Sequence, residues 1–160
     1  MQILLVRHGD ALIGGYDDAS RPLSVMGVDQ SRIVGNAIKT MDIHPEAILS
    51  SPLVRAKEMA AIIGEILQVT KIGATEFLVP GTDQRQLVAQ INTLGIQSIL
   101  LVGHEPHLHN FASYLTTESH DLQLHFGNGT LACIEVRMPV QAAAGTLTSF
   151  MTVEQLEMVG

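Results

Sequence analysis

Arg7-His8-Gly9 closes an apolar run, ILLV, and Gly103-His104 closes a second ILLV run much later in the chain. One histidine after such a run is ordinary punctuation. Two, each behind the same four residues, argue for shared work. In an open α/β sheet, ligands sit outside the carboxyl ends of the strands. His8 and His104 therefore face one crevice if their strands are neighbours. Lysines and arginines number only nine, yet three arginines stand at comparable places. Arg7 precedes His8, Arg21 lies in SRPLS just before a helical stretch, and Arg55 lies in SSPLVRA, one turn into another. Guanidinium forks match phosphate oxygens, and helix N-termini add oriented N–H donors. Two histidines and several arginines at one anion site describe phosphoryl transfer to a histidine nucleophile.

A metal centre is the competing chemistry. GHEPHLHN contains His104, His107 and His109. A zinc-protease motif needs His-Glu-x-x-His, and Leu108 occupies the fifth place. Pro106 also breaks any helix that would carry His104 and His107 on one face. No metal site is expected, and His107 and His109 are read as polar positions on the following helix. His44, His120 and His125 fall in loop-like contexts and are read as ordinary polar residues.

Strands and helices must position these groups. Residues 2–6, 47–50, 71–75 and 98–102 read as strands, with 2–6 and 98–102 the dense, buried ones. Helical spacing covers 24–39, with Ser24 as N-cap and Val25, Val28, Ile33, Val34, Ala37 and Ile38 as its apolar positions. Gly27 and Gly35 weaken that helix. A strong helix runs over 52–68 with Pro52 in its first turn. Asp83 caps a helix over 83–94 after a Pro-Gly loop, and 106–115 is helical. Two further strands, near 130–137 and 146–153, close the pattern and add an antiparallel element. Alternation of strand and helix predicts an α/β fold. It is expected as a single-domain, three-layer sandwich over residues 1–160, a mostly parallel sheet with helices on both faces.

Composition sets limits. A chain of 160 residues buries roughly 70% of its unfolded surface, enough for a core. A net charge of −7 disfavours nucleic acid and anionic membranes as partners, while a few converging cations still suit a small anion. Cys133 is the one cysteine and lies in an apolar run, which excludes a disulfide framework. Neither a signal peptide nor a membrane-spanning stretch is visible, so a cytoplasmic address is expected.

Taken in order, Arg7-His8-Gly9, SRPLSVMG (20–27), SSPLVRA (50–56) and GHEP (103–106) resemble the histidine phosphatase superfamily, the phosphoglycerate mutase-like proteins. The short chain and its RPLS segment resemble the SixA-type phosphohistidine phosphatases within it. The resemblance spans the whole chain. It implies a mixed six-stranded sheet with His8 and His104 on adjacent central strands. His8 would be the phosphate-accepting nucleophile. Arg7, Arg21, Arg55 and Gly9 would line the phosphate pocket, and His104 would stabilise the transferring group. No cofactor is implied.

The sequence departs from the family in two places. Met59 stands where a threonine is common, a position read as packing. Larger relatives carry a glutamate proton donor in the loop after the third strand, where this chain reads GATEFLVPGTDQ. Glu76 and Glu105 are the candidate donors, with Asp10, Asp17 and Asp83 also near plausible loops. A substrate imidazole can leave already protonated, whereas an alkoxide needs a proton in flight. The expected function is thus removal of phosphate from a phosphohistidine protein through phospho-His8. A small-molecule phosphomonoesterase and a phospho-ligand binding module without turnover are the alternatives. If His8 must be neutral, activity should fail below about pH 6, unless its neighbours move that midpoint.

Overall fold

A computed structural model describes residues 1–117 and 121–160; His120 lies outside the described residues. In chain order the elements are β1 (Gln2–Arg7), α1 (Val25–Thr40), β2 (Ala47–Ser50), α2 (Val54–Leu67), β3 (Ile72–Ala74), a 3-10 turn (Glu76–Leu78), α3 (Gln84–Thr93), β4 (Ser98–Gly103), α4 (His107–Thr116), β5 (Leu131–Val136), β6 (Gly145–Met151) and α5 (Val153–Glu157). The strands form one sheet in the order β3-β2-β4-β1-β5-β6. β1 to β4 are mutually parallel, β5 runs against β1, and β6 runs against β5. The sheet is mixed and mostly parallel, as expected.

Alternation of side chains along the two central strands divides the core. Ile3, Leu5, Ile99 and Leu101 face α3 and α4, where Leu87, Ile91, Leu108 and Phe111 are buried. Leu4, Val6, Leu100 and Val102 face the other way, against Val34 and Ile38 of α1, Met59 and Ile63 of α2, and Leu156 of α5. Both faces are therefore covered, which is why β1 and β4 read as unbroken apolar runs rather than as alternating ones. Met59 is wholly buried in this packing.

The sequence misplaced several details. Val25 is 83% exposed, because the core stripe of α1 starts at Gly27 and continues through Ser31, Val34 and Ile38. Pro52 lies in a bend before α2, and Val54 is the first helical residue. That bend is set by Ser51, whose Oγ accepts the Leu53 N–H at 3.2 Å, and by Val54, whose N–H donates to the Ala19 carbonyl at 3.1 Å. The strand expected to run to residue 153 ends at Met151, and α5 follows. A capping box at its start, Thr152 with Gln155, ends the strand by satisfying the first helical N–H groups.

Gly27 weakens α1 by propensity, yet it is there for contact. The chain leaving β1 crosses the first turn of α1 so closely that a Cβ on Gly27 would lie 2.0 Å from the Asp10 carbonyl oxygen. A Cβ on Gly9 would lie 2.6 Å from the Gly27 oxygen. Propensity alone predicts that Gly27→Ala stabilises the helix by about 1 kcal/mol. Backbone-on-backbone overlap predicts the reverse, a loss of about 2–3 kcal/mol. For a chain of this size that lowers the thermal midpoint by roughly 4–12 °C, measurable by calorimetry. An unchanged or raised midpoint would refute the close crossing.

Candidate active site

Three neighbouring strands end at one place. The β1–β4 register pairs Arg7 with Gly103, so His8 and His104 are each the next residue. The His8 N–H donates to the Gly103 carbonyl at 3.1 Å, carrying the ladder one step further. On the other side of β4, Ser50 pairs with Val102, and the Ser51 N–H donates to the Val102 carbonyl at 3.0 Å. Ser51, His104 and His8 thus emerge side by side. The two imidazole centroids are 4.8 Å apart, with the rings tilted by 58°. Ser51 Oγ and His104 Nε2 are hydrogen-bonded at 2.5 Å.

His8 Nδ1 lies 2.7 Å from the Gly9 carbonyl, which can only accept, so this nitrogen carries the proton. Nε2 then carries the ring's in-plane lone pair, which accepts from Arg55 Nε at 3.1 Å. Burial lowers the His8 pKa to about 4. The Gly9 bond works against that shift, and the charges of Arg55, Arg7 and Arg21 add to it. Burial also lowers His104, to about 3, helped by His8 and Arg55. Both rings are neutral at physiological pH.

The arginines converge on the same spot from three elements. Arg55, in the first turn of α2, is 6% exposed. Its Nη1 donates to the Asp18 carbonyl at 2.6 Å, and its Nη2 lies 3.3 and 3.4 Å from the Asp18 carboxylate oxygens. Arg21 Nε donates to the Leu12 carbonyl at 2.8 Å, and its Nη1 reaches the same carboxylate at 3.2 Å. Arg7 Nη1 donates to the Phe126 carbonyl at 2.7 Å, while its buried Nε has no hydrogen-bond partner among the described residues. The cleft these groups enclose measures about 640 Å³. Arg7, His8, Arg21, Arg55 and His104 all line it, along with Asp10, Asp18, Glu105 and Asn128.

Other expected residues lie elsewhere. Gly9 does not line the cleft; its α-carbon packs on Gly27 and its carbonyl holds His8. Glu76 is exposed in the 3-10 turn, also outside the lining. Glu105 does line it, and burial raises its pKa, while its Oε1 accepts the His109 N–H at 3.3 Å. Asp10 accepts from the α1 cap Ser24 at 2.5 Å, Asp17 holds the Ser20 N–H at 2.8 Å, and Asp83 caps α3.

The histidines after Pro106 diverge. His107 is 2% exposed, not a solvated position, and faces the backbone of Phe77. His109 Nδ1 meets the Leu124 carbonyl at 2.8 Å. The helix begins only at His107, so His104 shares no helical face with either. His44 is exposed beside Asp42.

Sequence reasoning missed Asp18, Ser51 and Asn128. Ser51 was visible inside SSPLVRA, and Asn128 lies in a loop segment, but neither carries distinctive chemistry on its own. Asp18 stands three residues before Arg21, a spacing that suits an ion pair, yet nothing in the sequence pointed it at Arg55.

The profile of the Histidine phosphatase superfamily (branch 1) matches residues 3–78. Phosphohistidine phosphatase SixA of Escherichia coli K12 is 31% identical over 122 residues, covering 74% of this chain and 73% of that protein. A solved structure of the protein histidine phosphatase SixA complexed with tungstate superposes with a TM-score of 0.89 at 26% identity, over 98% of this chain and 99% of the other. Alpha-ribazole phosphatase from Shigella flexneri shares the fold, with a TM-score of 0.71 at 16% identity over 96% and 97% of the two chains. With its four motifs gathered at one sheet edge, the chain belongs to the histidine phosphatase superfamily and to its SixA-type group.

Proposed function

We propose that residues 1–160 act as one phosphohistidine phosphatase domain, which removes the phosphoryl group from a histidine of a partner protein by way of phospho-His8. The observation that carries this reading is the neutral His8 ring. Its proton is committed to the Gly9 carbonyl and its Nε2 lone pair is held at the cleft by Arg55.

The Nε2 lone pair gives up its hydrogen bond from Arg55 Nε–H and forms a bond to phosphorus in line with the departing nitrogen. The substrate P–N bond breaks, and its electron pair stays with the substrate imidazole. That ring leaves neutral, because its other nitrogen already bears a proton. Arg7, Arg21 and Arg55 take the equatorial oxygens and spread their charge. His104, fixed by Ser51, stands beside the transferring group as a neutral hydrogen-bonding ring. His8 keeps Nδ1–H on Gly9 throughout, so phospho-His8 is itself a protonated phosphoimidazole and a ready leaving group. Water attacks phosphorus, the P–Nε2 bond breaks, and inorganic phosphate departs. The resemblance to SixA, solved in complex with tungstate, an oxyanion shaped like phosphate, supports this reading. The cytoplasmic address forms part of it and fits the free, buried Cys133.

Glu105 favours a second reading. A carboxyl that lines the cleft with a raised pKa could protonate an alkoxide, as hydrolysis of a small phosphoester requires. Phosphate release from a phosphohistidine protein and from a panel of small esters separates the two. The first reading expects the protein substrate to be hydrolysed at least about 10²-fold faster and Glu105→Gln to leave that rate within about threefold. Preference for an ester, lost in Glu105→Gln, would replace it. The pH profile adds a check on His8. Its proton must be absent for attack, and kcat/KM reports the free enzyme. With the His8 pKa lowered to about 4, kcat/KM corrected for the separately measured titration of the substrate ring should stay level from pH 7 to 5 and fall only near 4. A midpoint near 6 would mean that burial does not hold the ring neutral.

A further inference from the structure

Asp18 does something that the mechanism does not use. Its carboxylate occupies the hydrogen-bond donors that a phosphoryl group would need. It lies 3.3 Å from Arg55 Nη2 and 3.2 Å from Arg21 Nη1, while its own main-chain carbonyl takes Arg55 Nη1 at 2.6 Å. The backbone on either side is pinned. Ser20 closes a turn on Asp17 through its N–H at 2.8 Å, and the Ala19 carbonyl accepts from Val54, one residue before Arg55. The side chain is not pinned in the same way. It is 69% exposed, against 7% for Arg55, so it can rotate into water without unpacking anything.

A carboxylate and a phosphoryl group present similar oxygen pairs to a guanidinium. We infer that the Asp18 carboxylate is an internal competitor for the phosphoryl site, holding Arg55 and Arg21 in the free enzyme and setting how weakly free phosphate binds. The inference rests on reading these arginines as the phosphoryl site. Its backbone carbonyl keeps Arg55 oriented whether or not the carboxylate is in place. An incoming phosphoryl group displaces the carboxylate, and the charge it displaces stays nearby and opposes it. Free orthophosphate has only those contacts and is released. A phosphorylated protein can add contacts outside the cleft and stay. The product leaves readily, and ambient phosphate does not block the enzyme.

The alternative is that Asp18 only props the arginines up. The two ideas predict opposite signs. Titration calorimetry with inorganic phosphate, on wild type and Asp18→Asn, decides between them. Loss of the competing charge should tighten phosphate binding about tenfold, an effect sized for a partly exposed charge a few ångströms away. Asp18→Glu, which keeps the charge, should bind as weakly as wild type. The constant for product inhibition should fall in parallel in Asp18→Asn. Unchanged or weaker phosphate binding by Asp18→Asn would overturn the proposal, since it would make the carboxylate a prop. Binding is read without turnover, so an enzyme inactive on phosphohistidine would defeat the proposed function while leaving this test intact. Phosphate binding by neither protein would overturn both.

Discussion

Replacing His8 by glutamine is expected to lower phosphohistidine turnover by at least about 10⁴-fold, the scale seen when a covalent nucleophile is removed. Glutamine keeps a polar group at the end of β1 but has no basic lone pair to give to phosphorus. The ring it replaces is 8% exposed and held at both nitrogens, so a thermal melt of the variant separates lost chemistry from lost folding. The direct check is trapping. Wild type quenched in alkali during turnover, before the bound phosphoryl group is hydrolysed, should carry a phosphoryl group that alkali spares and acid removes, on the peptide containing His8. The variant should carry none. Residual turnover above a few per cent, or a label on another residue, would assign the nucleophile elsewhere.

Arg55→Ala is the second large effect. Removing the guanidinium deletes the donor that steadies Nε2 of His8 and the fork offered to the phosphoryl oxygens. Loss of one well-placed donor to a developing anion is worth about 10²–10³ in rate, and this side chain supplies more than one. The expectation is a fall of about 10³-fold in kcat/KM, most of it in kcat. Arg55→Lys should recover little, because an ammonium cannot place Nε–H on His8 and a fork on phosphate at once. The same truncation also removes a charge that keeps His8 deprotonated. The acid limb of the pH profile should therefore move upward in Arg55→Ala and stay near its wild-type position in Arg55→Lys, which keeps the charge. A uniform rise in KM with kcat unchanged would mean that Arg55 only binds substrate.

These effects depend on a geometry that the sequence disclosed only in part. The paired ILLV runs, the arginines in SRPLS and SSPLVRA, and the strand-helix alternation were all legible. They rest on local facts: apolar runs need a two-sided core, and charged residues gather where strands end. From them follow the sheet class and a candidate cationic cleft; the adjacency of His8 and His104 came only as an implication of the family resemblance. The order of strands around β4 was not legible, and with it went Ser51, which meets His104 only because β2 lies on the far side of that strand. The pKa shifts needed burial by residues from both halves of the chain. Gly9 and Gly27 are the two halves of a backbone crossing whose closeness no spacing in the sequence records. Asp18 sat in a polar loop of ordinary composition, and only folding brought it onto an arginine distant in the chain. The sequence by itself determined which chemistry was available, because residue types and strand ends are local properties. Tertiary structure decided which groups stay neutral, which are already occupied and which face the cleft, because desolvation and charge coupling depend on what the fold brings near.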